Sequence, residues 1–325
     1  MSKGLDLKAI QESRNFLVGK IVNTPMLELS STKIKNFMPK NADVRMKLEL
    51  FQHTGSFKSR GALLAVNKLS TKQKEIGVVA VSAGNHALAV SWAAGCANVH
   101  AKVVMLEKSD PIRIQGCRNF GAEVILCSDV GEAFSTMEGI AKSEGRIILQ
   151  PFDSKEMILG SASCGLEIIE NFPELEVAII PVGGGGLISG IAAAIKQSKP
   201  STIIYGVEPE GADSMYRSFQ SQKALKLETV DTIADSLGAP MTMSYSFGVA
   251  QNFVDAIVRV RDEELVSAMK LMRDNLNFMV EPACAASLAG LLGPLKEMVG
   301  EKAISLIACG SNISYERYQK LVKDS

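Results

Sequence analysis

The stretch Ala178-Ile179-Ile180-Pro181-Val182-Gly183-Gly184-Gly185-Gly186-Leu187-Ile188-Ser189-Gly190 decides the fold. An apolar run of strand character meets four residues without side chains, and an Ala-rich helical pattern follows. Backbone amides at such a helix start point outward and favour an anion. The spacing lacks the Gly-x-x-x-x-Gly-Lys-Ser/Thr of a nucleotide loop, and Gly-x-Gly-x-x-Gly fails at Ile188, so a single phosphate is the better guess. A tight turn needing positive φ explains one or two glycines rather than four.

Working outward, short Val/Ile-rich runs recur at residues 77–81, 101–105, 122–126, 147–149, 177–180, 203–207 and 303–307, with helical patterns such as 86–94 and 187–196 between them. Runs of this kind are strands buried on both faces by crossover helices. The fold class is therefore α/β, with doubly wound, mainly parallel sheets. Four of the strands form a compact set flanked in sequence by the others. This predicts two domains, a large one from 1–50 and 149–325 and a small inserted one from 51–148. In open sheets ligands bind beyond the carboxyl ends of strands, which puts the site in the interdomain cleft.

A chain of 325 residues with 46% apolar and 22% charged side chains buries a large core and is not disordered. Its 35 basic and 35 acidic residues cancel, so no global field draws it to nucleic acid or an anionic membrane. The uncharged stretch 177–195 is broken by Pro181 and the glycines, and no membrane span is expected. Six cysteines without a Cys-x-x-Cys pair, together with only three histidines, predict reduced thiols in a cytoplasm and no zinc site. The amino terminus lacks the apolar core of a leader.

Three further segments carry chemistry. Gln52-His53-Thr54-Gly55-Ser56-Phe57-Lys58-Ser59-Arg60-Gly61-Ala62 holds an amine suited to an aldehyde cofactor. In Val81-Ser82-Ala83-Gly84-Asn85-His86-Ala87 a strand feeds a helix through a turn that can seat a small carboxylate, although Asn85 reads equally as a cap and His86 as a buried histidine. A third strand ends at Cys309-Gly310-Ser311-Asn312, where Cys309 taken alone is a core thiol.

In this order, and with Asn23-Thr24-Pro25, Lys47-Leu48-Glu49, Pro151-Phe152-Asp153, Val207-Glu208-Pro209 and Thr232-Ile233-Ala234-Asp235, these segments closely resemble the fold-type II, tryptophan synthase β-like pyridoxal-phosphate enzymes, and among them the serine/threonine dehydratase and serine racemase group. The resemblance covers nearly the whole chain. It implies pyridoxal 5'-phosphate as cofactor, with Lys58 as the catalytic lysine that forms the imine and Phe57 packed on the ring. Asn85 would face the phenolic oxygen, Gly183, Gly184, Gly185, Gly186 and Leu187 would cup the phosphate, and Cys309 would face the pyridine nitrogen. Ser82, Ala83, Gly84, Asn85 and His86 would hold the substrate carboxylate. The implied activity is elimination of water from L-threonine and/or L-serine to a 2-oxo acid and ammonia, by a homodimer. A non-catalytic cofactor- or amino-acid-binding protein is the alternative of another class.

The departures from the pattern matter. Racemases of the group resemble Ser-Ser-Gly-Asn-His, with the second serine as an acid/base; Ala83 cannot carry a proton, so elimination with little or no racemisation is expected. The divalent-cation site of the racemases would use Glu208 and the carbonyl of Ala212, but Ser214 stands where an aspartate is needed, which leaves a cation open. Gly160-Ser161-Ala162-Ser163-Cys164 replaces Gly-Gln-Gly-Thr, and Ala234-Asp235-Ser236 replaces Ala-Asp-Gly. Both segments are expected at the pocket, and they keep a 3-hydroxyaspartate or a bulkier β-hydroxy amino acid open as substrate.

Overall fold

The computed structural model describes residues 5–31 and 33–323; Met1 to Gly4, part of the stretch read for a leader, lie outside them. Among the described residues ten strands form two sheets. The larger contains β1 (Met26–Glu28), β2 (Asp43–Lys47), β7 (Val177–Pro181), β8 (Ile203–Pro209), β9 (Ala256–Val260) and β10 (Ala303–Ile307), in the order β1-β2-β10-β7-β8-β9. Only β1 runs antiparallel to its neighbour. The smaller contains β3 (Val78–Val81), β4 (Ala101–Leu106), β5 (Glu123–Cys127) and β6 (Ile147–Ile148), in the order β5-β4-β3-β6, all parallel.

The apolar runs became strands because helices cover them on both faces. Every residue of β7 and β10 is buried, whereas β5, at the edge, keeps Glu123 and Leu126 exposed. The uncharged stretch 177–195 divides into β7, the glycine turn and the helix Gly186–Ser198. Among the described residues no helix is long and apolar enough to cross a membrane. All six cysteines are unpaired, and five are buried.

The helix Lys155–Asn171 ties the two halves together. It packs against both Lys58–Asn67 and Gly186–Ser198 at points too close for side chains: a Cβ on Gly160 would fall 2.3 Å from the nitrogen of Gly61, and one on Gly190 would fall 2.3 Å from the carbonyl oxygen of Ile158. These crossings set Lys58 and the glycine turn against one scaffold. They also correct one expectation: Ser161, Ala162, Ser163 and Cys164 are buried in this helix and line no part of the cavity described below.

Candidate active site

Between the carboxyl ends of the two sheets lies a cavity of about 280 Å³. Its walls bring together Phe57 and Lys58, the turn Ser82, Ala83, Gly84, Asn85 and His86, the turn Gly183, Gly184, Gly185, Gly186 and Leu187, and Cys309. Each segment follows a strand or opens a helix, so sheet geometry points all of them into one space.

Two helices start here from a glycine, with no side-chain cap. Asn85–Cys96 follows Gly84, and Gly186–Ser198 follows Gly185, whose φ of +89° favours glycine. Neither N-cap supplies an acceptor, so the first amides of both helices remain available to anions. The glycine turn is tightly roofed: a Cβ on Gly184 would sit 2.3 Å from the Phe152 ring. Two anion seats with a lysine in the same cavity suit a ligand bearing a phosphate and an aldehyde, together with an amino acid carboxylate.

The Lys58 amine donates to the carbonyl oxygen of Pro151 and lies 5.0 Å from the centroid of the Phe57 ring. Burial lowers its pKa from 10.5 to about 8. His86 Nε2 is 2.8 Å from the carbonyl oxygen of Leu149. A carbonyl only accepts, so Nε2 carries the proton and Nδ1, buried and without a protein partner, is a bare acceptor. Burial, helped by the Lys58 charge, lowers the His86 pKa to about 3, and the ring is neutral. Burial pushes the Cys309 thiol well above its ordinary range, and its Sγ donates to the carbonyl oxygen of Ala283 at 3.5 Å.

Sequence reasoning missed a buried polar cluster behind the Asn85 turn. Arg113 Nη1 is 2.8 Å from Asp235, Nη2 is 2.8 Å from Glu281, and Nε is 2.7 Å from the carbonyl oxygen of Asn312. Arg113 and Glu281 have no local pattern that marks them; they meet across 168 residues. Ser236, one of the departures noted above, places its hydroxyl 2.8 Å from Glu281. Also missed was an apolar wall beyond Ala83, made by Leu106, Val130, Ala133 and Phe134 from β4 and the helix Val130–Glu144.

Glu208 and Ala212 lie outside the cavity. The Glu208 oxygens accept from the amides of Met215 and Tyr216 at 2.9 and 2.7 Å, and Asp213 pairs with Arg217 and Arg259. Burial raises the Glu208 pKa to about 8. With one carboxyl spent on a helix start and the other matched by two guanidinium groups, the arrangement does not offer the oxygen set a hard cation takes. Among the described residues no cluster of three or more His, Cys, Asp or Glu side chains is placed to hold a metal.

The sequence profile of the family "Pyridoxal-phosphate dependent enzyme" matches residues 18–310. The chain is similar to a phenylserine dehydratase of Ralstonia pickettii, at 41% identity over 94% of this chain and 93% of that protein. It is also similar to an L-threo-3-hydroxyaspartate ammonia-lyase of Saccharomyces cerevisiae, at 34% identity over 86% of each. Among solved structures, the processed threonine deaminase isoform 2 of Solanum lycopersicum superposes with a TM-score of 0.91 at 31% identity, covering 98% of this chain and 92% of that one.

Proposed function

Because this chain belongs to the fold-type II pyridoxal-phosphate-dependent enzymes, in the group of serine/threonine dehydratases and serine racemases, we propose that its cavity eliminates water from β-hydroxy amino acids whose β-substituent is apolar, with L-threonine at the small end and phenylserine at the large end. The protein is a pyridoxal 5'-phosphate-dependent ammonia-lyase of β-hydroxy amino acids.

In this reading Lys58 carries the cofactor, the amides at Gly185, Gly186 and Leu187 hold its phosphate, Phe57 packs on its ring, Asn85 donates to its ring oxygen and Cys309 meets its ring nitrogen. When bound, the cofactor supplies a conjugated ring that takes up the electron pair left by the Cα proton. The chain's own residues do the rest. The amides of the Asn85 helix and the Ser82 turn hold the substrate carboxylate and fix the Cα–H bond toward Lys58. With its pKa near 8, the Lys58 amine is a base matched to neutral pH and takes that proton. The β-hydroxyl leaves as water together with the proton that Lys58 took from Cα, and hydrolysis of the resulting enamine releases ammonia and a 2-oxo acid. Ala83 offers no group to return a proton from the other side, which favours elimination over racemisation.

The apolar wall carries the substrate assignment. Leu106, Val130, Ala133 and Phe134 give a β-substituent an apolar surface, and Arg113, the one arginine among the described residues that lines the cavity, is engaged by two carboxylates. A distal carboxylate such as that of 3-hydroxyaspartate would be desolvated there without a partner, an expensive arrangement. The test is 2-oxo acid release by the purified holoenzyme from L-serine, L-threonine, phenylserine and 3-hydroxyaspartate. Faster turnover of 3-hydroxyaspartate than of threonine overturns the apolar assignment, and a bound cofactor with no product from any of the four returns the chain to the binding-protein alternative. A homodimer is part of this proposal, with sedimentation equilibrium as its check.

A further inference from the structure

The amide of Asn85 is fixed by a chain of contacts that allows only one orientation. Asn312 Nδ2 lies 2.6 Å from the carbonyl oxygen of Thr54 and 2.7 Å from Asn85 Oδ1. A backbone carbonyl only accepts, so the nitrogen of Asn312 must face both, and its two N–H groups are used. The atom of Asn85 opposite it is then the oxygen. That turns Asn85 Nδ2 toward Glu281 Oε1, at 2.6 Å. Glu281 is fully buried and an acceptor here: its other oxygen takes Arg113 Nη2 and the Ser236 hydroxyl, each at 2.8 Å. The second N–H of Asn85 has only a long contact to the Ser236 oxygen, 3.4 Å, and the residue lines the cavity.

We propose that Asn312 and Glu281 are positioning residues that decide which end of the Asn85 amide the cavity meets, so that Asn85 presents a donor N–H, and not its carbonyl, to the ring oxygen of the cofactor. This rests on the placement of Asn85 given under the proposed function. Without Asn312 and Glu281 the amide would be free to flip, and a carbonyl turned toward an anionic oxygen repels it. The packing supports the arrangement independently: a Cβ on Gly310 would fall 2.2 Å from Glu281 Oε1 and 3.2 Å from Asn85 Nδ2, so this glycine gives Glu281 the room to reach Asn85. The polar turn after β10 thus serves Asn85 by direct contact, with Arg113 holding Glu281 from the side of the smaller sheet.

The experiment is a double-mutant cycle on the holoenzyme with Asn85→Ala, Asn312→Ala and the two combined, and Glu281→Gln alongside. The readouts are the balance between the cofactor's absorption bands as a function of pH, and the cofactor's dissociation constant by fluorescence. Asn312→Ala is expected to shift the bands in the same direction as Asn85→Ala and to weaken cofactor retention roughly tenfold, the range for one lost buried hydrogen bond. In the Asn85→Ala background it should add almost nothing, because it acts through that residue. Full additivity overturns the proposal. So does an unchanged spectrum in Asn312→Ala when Asn85→Ala changes it, which leaves the Asn85 placement intact; an unchanged spectrum in Asn85→Ala removes that placement itself. If Asn312→Ala fails to fold by circular dichroism, Glu281→Gln carries the same comparison: a shift in the same direction supports the proposal, and wild-type bands overturn it.

Discussion

Two cations and two anions are buried together around Arg60, and removing one anion should cost a large part of the protein's stability. Lys47 Nζ lies 2.6 Å from Glu167. Arg60 binds Glu167 and Glu49 through contacts of 2.8 Å, and all four side chains are inaccessible or nearly so. In Glu167→Leu, two positive charges would face Glu49 alone. Breaking a buried pair from one side costs about 3–5 kcal/mol, against a total of about 5–15 kcal/mol for a typical fold. Adding Lys47→Met to Glu167→Leu restores neutrality, because Arg60 keeps both contacts to Glu49 and a third, at 3.0 Å, to Ser163. The double variant should recover at least about 2 kcal/mol of the loss, since apolar replacement of a whole buried pair is often neutral or better. Urea unfolding at a fixed excess of cofactor measures both. A double variant no more stable than Glu167→Leu would refute the charge-imbalance argument and leave shape as the cause.

Histidine 86 gives a pH signature. Its folded pKa, about 3, lies below the unfolded value near 6.5, so under pH 6.5 the unfolded chain binds a proton the folded one refuses, and stability falls by about 1.4 kcal/mol per pH unit. His86→Gln keeps a donor for Leu149 and should lose less on acidification; identical acid slopes by urea titration count against the buried neutral ring. Leu106→Arg places a cation on the apolar wall and should move the ratio of kcat/KM for 3-hydroxyaspartate over phenylserine upward by roughly tenfold or more. Ala83→Ser should introduce measurable racemisation of L-serine, followed by chiral chromatography; if none appears, this position alone does not separate the two outcomes. Inorganic phosphate should slow uptake of pyridoxal 5'-phosphate by the apoprotein but not of pyridoxal, and equal slowing of both would mean that the Gly185 helix start is not the phosphate seat.

The strands most legible in the sequence are those whose burial is complete. β7 and β10 are unbroken apolar runs because helices cover both faces. β1 and β2 escaped notice for the opposite reason: β1 is three residues long, and β2 reads Asp43-Val44-Arg45-Met46-Lys47, whose last charge is buried only because Glu167 arrives from a distant helix. The glycine turn and the Asn85 turn were legible because each is a strand, a special turn and a helix within about a dozen residues. Arg113 and Glu281 were not. Glu281 precedes Pro282 at a helix start and looks like an ordinary first-turn acid, and nothing near it in sequence announces the arginine it meets. Val130 and Phe134 have the four-residue spacing of any helix face, and only the fold shows that this face borders the cavity.

How the helices are capped sharpens that distinction. Several helices end their exposed amides on side chains: Asp6, Ser70, Asp110, Asp129 and Ser154 each accept from the first turn that follows. Where the local cap is missing, a remote acid supplies it, as Glu208 does for Met215 and Tyr216, and Asp153 for Ser246. The helices after Gly84 and Gly185 have neither kind of cap, as is also true of those after Phe57, Glu281 and Leu295; at the two glycines a serine or aspartate would be the ordinary choice. A side-chain cap would compete with the ligand for the same amides, so an uncapped glycine start at the cavity leaves them free for an anion in place of the missing acceptor. Two such starts converging on one lysine are therefore a stronger indication of the site than either glycine turn taken singly. They explain why the chain forgoes a modest gain in helix stability at these two positions.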